Sequence, residues 1–177
     1  MSRTAKPRLA VVKDEPQLAF ETKNDLSLDT RTQVVTLLGQ RLADSLTLQS
    51  HCKQAHWNVK GPQFNSLHLL FDQIDEVIEG YTDQIAERIV QLGGVAEGTV
   101  RAVAAKTQLI DYPLALSTGG EHVASLSDSL AAFGRTTRIG IEEMSDLGDS
   151  VSADLLTEVT RGVDKWLWFV EAQQQAR

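Results

Sequence analysis

From Leu67 to Leu92 the apolar residues fall at three- and four-residue steps: Leu67, Leu70, Phe71, Ile74, Val77, Ile78, Tyr81, Ile85, Ile89 and Leu92. Only an α-helix puts such positions on one face, and that face must be buried against other helices or a sheet. The helix is expected from about Gln63 to Gln91. Gly61–Pro62 bars it on one side, because proline lacks a donor and disfavours a helical residue before it. Gly93–Gly94 ends it on the other, where a left-handed cap is cheap for glycine.

A first helix is expected after Ser27 or Asp29, both N-cap types, and runs to about Asn58. Its stripe of Val34, Val35, Leu38, Leu42, Leu46 and Gln49 continues towards Cys52 and His56. Beyond Gly94, roughly 25 residues lack a strong amphipathic pattern, apart from a short helix near Val100–Lys106. A third long helix is expected over about Glu121–Leu147 and a fourth over about Ala153–Gln174. No segment alternates as a strand does. The chain therefore reads as all-α, a four-helix bundle with one long crossover, carrying a short helix, between the second and third helices.

The 177 residues fit one domain. Residues 1–26 contain two prolines and no sustained period, and are read as a mobile N-terminal arm; residues 27–177 form the bundle domain. Cys52 is the only cysteine, which rules out an internal disulfide and makes a reducing cytoplasm the expected location. The apolar runs are too short to span a membrane, and LAVV in the arm is too short for a signal-peptide core.

Charge divides unevenly. Residues 1–24 carry five basic groups (Arg3, Lys6, Arg8, Lys13, Lys23) against three acidic ones (Asp14, Glu15, Glu21). Of 17 basic and 24 acidic residues, this leaves 12 and 21 in the rest of the chain, a net of −9 beneath a tail of +2. Such a body repels polyanions and attracts cations, so any contact with DNA falls to the arm.

The second helix shows where cations would go. With His68 at zero on a helical wheel, Asp72, Asp83 and Glu87 lie at about 40°, 60° and 100°, with Asp75 and Glu79 in the same sector. His68/Asp72 and Asp83/Glu87 are i,i+4 pairs, a spacing that lets two side chains meet one ion. Imidazole combined with carboxylate suits iron, zinc or manganese, whereas oxygen alone suits calcium or magnesium. The two pairs are 11 to 19 residues apart, roughly 16 to 28 Å along the axis. Either each pair is an independent weak site, or two chains meet across a two-fold axis and complete two equivalent sites. A di-iron centre inside one bundle needs Glu-x-x-His on two helices, and the sequence contains no such motif.

The segment His56-Trp57-Asn58-Val59-Lys60-Gly61, then Phe64-Asn65-Ser66-Leu67-His68-Leu69-Leu70-Phe71-Asp72, then Asp83-Gln84-Ile85-Ala86-Glu87-Arg88, resembles the Dps family, the ferritin-like mini-ferritins. Asp164-Lys165-Trp166-Leu167-Trp168-Phe169 is similar to the family's last helix, and the likeness covers about Asp29 to Gln174. It implies a ferritin-like bundle assembled as a hollow dodecameric homo-oligomer that oxidises Fe(II), preferably with hydrogen peroxide, and stores the ferric product inside. It further implies that His56, His68 and Asp72 of one chain face Asp83 and Glu87 of its two-fold partner. Trp57 would pack beside this site and be able to surrender an electron, with a core aromatic at the interface as the competing reading.

In the family the corner between the third and fourth helices lines pores with aspartates. Asp146, Asp149 and Asp154 are the matching candidates, set against plain helix capping. Relatives that bind DNA use basic tails, which makes Arg3, Lys6, Arg8 and Lys13 the candidate DNA contacts. A nucleoid protein with secondary iron chemistry, and a site preferring zinc or manganese, are the competing readings. His51 and His122 have no partners of metal-binding spacing and are read as ordinary polar residues.

Overall fold

The computed structural model describes residues 18–175. Four long helices and one short one follow in order: α1 (Leu28–Asn58), α2 (Phe64–Gln91), α3 (Val100–Lys106), α4 (Gly119–Asp146) and α5 (Ser150–Glu171). Among the described residues there is no strand, only an isolated parallel bridge between Lys60 and Thr118. α1 packs along α2, α4 along α5, and the crossover with α3 lies against α1. No helix among the described residues is long and apolar enough to cross a membrane.

The expected stripes form the core. Val34, Leu38, Cys52, Leu67, Phe71, Ile74, Ile78, Ile85, Ile89 and Leu92 are sealed from solvent, together with Leu126, Leu130 and Phe133 of α4 and Leu156, Val159 and Val163 of α5. Leu46 and Tyr81 are only half-buried at its margin.

The boundaries follow local capping chemistry. The Ser27 hydroxyl accepts from the Thr30 amide and opens α1. α4 starts two residues earlier than its apolar pattern suggests, because Thr118 and Glu121 form a reciprocal capping box. α5 starts three residues early because the Asp149 carboxylate accepts from the Ser152 amide.

The last residues of the arm expected over residues 1–26 are tied to the bundle. Ala19 and Phe20 donate their amides to the Gly93 carbonyl at 2.9 and 3.1 Å. Arg31 ties the same region down, donating to the carbonyls of Leu26 at 3.3 Å and Leu92 at 3.1 Å. Gly93 has φ +88°, and a Cβ there would sit 2.5 Å from the Phe20 carbonyl oxygen. Glycine is thus required twice over, for the left-handed turn and for the close approach. Residues 18–26 belong with the bundle; Arg3, Lys6, Arg8 and Lys13 lie outside the described residues.

Candidate metal centre

The turn at Gly61 (φ +107°) brings the last turn of α1 against the first turns of α2. His56 and His68 meet there, their rings stacked with centroids 3.7 Å apart. Nδ1 of His56 lies 2.8 Å from the carbonyl oxygen of His68, and Nδ1 of His68 lies 2.8 Å from the carbonyl oxygen of His56. A carbonyl can only accept, so each Nδ1 carries its proton. In the neutral rings both Nε2 atoms keep a lone pair, the form a metal requires. A ligating histidine held by its other nitrogen on a backbone carbonyl is the usual way to fix ring and tautomer.

Asp72 is half-exposed beside this pair, with Oδ1 at 3.8 Å from Nδ1 of His56. Its strongest partner is Lys53, a residue the sequence did not single out. The Lys53 ammonium lies 2.6 Å from Asp72 and 2.9 Å from Asp75. This hydrogen bond holds the Asp72 carboxyl below the usual carboxylate range, and the two carboxylates together raise Lys53 above its ordinary value. Asp75, in the same sector of the wheel as Asp72, is buried, 8% exposed. The signal that could have found Lys53 is its place one helical turn before His56 on the face meeting α2.

Asp83 and Glu87 stand exposed further along α2. Asp83 borders a depression of about 310 Å³ floored by Leu42, Leu46 and Ala96, and Glu87 borders a neighbouring one of about 510 Å³. They do not join the histidines. Among the described residues, no three His, Cys, Asp or Glu side chains converge within one chain to hold an ion. The donor set present (two imidazoles and a carboxylate at one end of α2, two carboxylates at the other) suits iron, zinc or manganese once two such surfaces face each other.

The surroundings of the histidines are apolar and uncovered. Trp57 is 69% exposed, Leu69 51% and Phe64 46%. The Phe64 ring lies 5.1 Å from that of His68. Clustered large apolar groups left uncovered are common where a protein binds a partner or ligand.

The acidic corner between α4 and α5 splits the three pore candidates. Asp146 and Asp154 are exposed. Asp149 is 2% exposed and cannot line a passage from that position. Its carboxylate caps α5 through Ser152 and receives Arg88 Nη2 at 2.9 and 3.0 Å. His51 and His122, expected as ordinary polar residues, are buried, 6% and 1% exposed.

Residues 35–176 match the family described as ferritin-like domain. The chain is 38% identical over 157 residues to the DNA protection during starvation protein of Agrobacterium fabrum, which covers 89% of this chain and 97% of that protein. The tetragonal form of Mycobacterium smegmatis Dps superimposes with a TM-score of 0.84 at 34% identity, covering 89% of this chain and 94% of that one. DpsA14 from Streptomyces coelicolor gives a TM-score of 0.86 at 28% identity over 91% and 95% of the two chains. With its helix order, its His56–His68 pair and these likenesses in agreement, the chain belongs to the Dps family of ferritin-like proteins.

Proposed function

We propose that this chain oxidises Fe(II), preferentially with hydrogen peroxide, at sites completed between two copies, and keeps the ferric product inside a hollow dodecameric shell. The observation that supports this most is the split donor set on α2. His56 and His68 have both Nδ1 protons committed to backbone carbonyls, while Asp83 and Glu87 stand exposed at the far end of the same helix. An antiparallel second copy brings one chain's Asp83 and Glu87 to the other's His56, His68 and Asp72.

In that arrangement Asp83 and Glu87 bind iron most directly, and their charge favours the ferric over the ferrous state. His56 adds a neutral nitrogen. His68 and Asp72 complete a second, weaker position, where Lys53 already balances the charge of Asp72. Peroxide takes up two electrons and becomes two hydroxides, so two Fe(II) are consumed for each peroxide. Trp57, exposed beside His56, is able to give up an electron to a stray radical. Asp146 and Asp154 attract cations towards the shell.

The reading is tested by adding Fe(II) and peroxide to the purified protein and following ferric absorbance and sedimentation. A soluble ferric core is expected, and Asp83→Ala with Glu87→Ala should slow oxidation severely. An unchanged rate in that double variant would sink the assignment. Zinc and manganese suit the same donors; metal analysis of protein isolated without added iron distinguishes them.

The name carried by the Agrobacterium relative, DNA protection during starvation protein, favours a second reading: a nucleoid-associated protein acting through Arg3, Lys6, Arg8 and Lys13. Many arms on one shell would add avidity against the acidic body. Gel shifts over a salt series, with and without residues 1–13, test it, because an arm-driven complex weakens steeply with salt. Either role fits a cytoplasmic protein, at the nucleoid where DNA is bound.

A further inference from the structure

The helical turns of α1 that carry His56 also carry, on another face, a buried polar cluster that the metal site does not use. Tyr112 of the crossover is 8% exposed. Its hydroxyl lies 2.9 Å from Nδ1 of His122. Its ring lies 5.1 Å from that of His51, five residues before His56 and about 7.5 Å from it along the helix axis. Nδ1 of His51 is 3.0 Å from the Ser129 hydroxyl, which itself donates to the Ser125 carbonyl. His51 is therefore the donor in that bond, and its protonation is settled without Tyr112.

What remains is a phenol that faces Nδ1 of His122 and the Ser125 hydroxyl. Burial pushes the Tyr112 phenol above its ordinary value. It also pushes His122 down, against the carbonyls of Leu116 and Asn58, which favour the charged ring. Both groups are neutral near pH 7, so the phenol donates to Nδ1 and the ring proton sits on Nε2. That Nε2 is buried and finds no hydrogen-bond partner of good geometry among the described residues. The Leu116 and Asn58 carbonyls lie near the ring without aligning on that nitrogen, and a buried N–H left poorly paired calls for a reason.

Oxidation of tyrosine supplies the reason. A phenol that loses an electron becomes strongly acidic and must lose its proton at once, so an imidazole within hydrogen-bonding distance lowers the barrier. The imidazolium that results is the form favoured by the Leu116 and Asn58 carbonyls. Asn58 is two residues beyond His56, so the cluster and the half-site share one stretch of α1.

We propose that Tyr112, hydrogen-bonded to His122, is an internal one-electron donor that consumes oxidising equivalents straying from the His56–His68 half-site. The proposal rests on the iron-oxidising reading above. When a single Fe(II) reduces peroxide, it yields Fe(III), hydroxide and a hydroxyl radical. The radical takes one electron from Tyr112 and becomes hydroxide, while the phenol proton passes to Nδ1 of His122. A second Fe(II) then returns an electron to the tyrosyl radical, and His122 returns the proton. The sum is two Fe(II) and one peroxide converted to two Fe(III) and two hydroxides, with no radical released.

Tyr81 and Tyr112 are the only tyrosines, which makes the test direct. Protein mixed with Fe(II) and peroxide and rapidly frozen is examined by electron paramagnetic resonance, with ferric absorbance followed in parallel. A tyrosyl signal is expected that Tyr81→Phe leaves intact and Tyr112→Phe removes, and His122→Phe should reduce its yield. In case Tyr112→Phe disturbs folding, 3-fluorotyrosine in the Tyr81→Phe protein labels Tyr112 alone and should add fluorine hyperfine splitting. Iron oxidation without a tyrosyl signal, or with one that survives Tyr112→Phe, overturns the proposal and leaves the ferroxidase reading standing. Failure to oxidise Fe(II) at all overturns both.

Discussion

His56 and His68 hold each other's imidazoles: each Nδ1 donates to the other's backbone carbonyl at 2.8 Å, across rings stacked at 3.7 Å. The lock is mutual, so neither residue is independent. His68→Ala removes the donor to the His56 carbonyl and the face against which the His56 ring stacks. A drop of about 10–100-fold in metal affinity is expected, the usual cost of losing an orienting partner, even where His68 itself binds weakly. Zinc titration calorimetry measures this without redox turnover. His68→Gln, whose amide can donate to the same carbonyl, should recover part of the loss; no recovery would mean the nitrogen ligand, not the lock, is what matters.

Arg88 and Asp149 make the most buried ion pair among the described residues, with Arg88 Nε also donating to Ser152 at 2.9 Å. The pair joins α2, one residue past Glu87, to the start of α5. Removing one partner strands a buried charge, and Asp149→Asn is expected to destabilise the fold by about 3–5 kcal/mol near neutral pH. Burial pushes the Asp149 carboxyl up, but the hydroxyl and amide of Ser152 and the Arg88 guanidinium outweigh it and hold it below the usual range. A carboxyl lowered in the folded state stabilises above its unfolded pKa, and that contribution fades as pH falls through the folded value. Urea unfolding of both proteins at neutral pH and near pH 3 should therefore show the gap narrowing in acid.

Periodicity carried the helices because each long stripe is buried on one side, and the boundaries that moved are those set by single side chains. Thr118 and Asp149 act through one or two hydrogen bonds that leave no trace in an apolar pattern. The same limit applies at the site. His56, His68 and Asp72 were visible from spacing and resemblance, but Lys53 was not, because an ion pair between α1 and α2 depends on their packing. Asp149 looked like its exposed neighbours Asp146 and Asp154; only the position of Arg88, about sixty residues away in sequence, separates them. His51 and His122 carry no such signal because their partners, Ser129 and Tyr112, are hydroxyl groups on other elements, without metal-ligand spacing.

Acid should weaken the fold through those same histidines. Burial lowers the pKa of both His51 and His122. Below about pH 6.5 the unfolded chain takes up protons that the folded chain refuses, so stability present above that pH is lost as it falls. His122→Gln keeps an acceptor for the Tyr112 hydroxyl and removes one refused proton. It is expected to lower the pH dependence of unfolding between about pH 7 and 5, measured at one protein concentration because assembly contributes to stability. Equal slopes for the two proteins would show that His122 is protonated in place.

Gly93 and Gly148 each follow the end of a long helix, α2 and α4. Both have positive φ, +88° and +79°, and alanine in that conformation costs on the order of 1–2 kcal/mol. They differ in their surroundings. A Cβ on Gly148 meets open space, whereas one on Gly93 meets the Phe20 carbonyl oxygen at 2.5 Å and Arg31 Nη1 at 3.3 Å. Gly148→Ala should thus cost the backbone strain alone. Gly93→Ala should cost more, and the excess should appear as release of residues 18–26, whose amides at Ala19 and Phe20 depend on the Gly93 carbonyl. Hydrogen exchange at those two amides is the direct readout: it should accelerate in Gly93→Ala and stay at the parent rate in Gly148→Ala. Equal exchange in both variants would show that the segment is held by Arg31 and its apolar contacts instead.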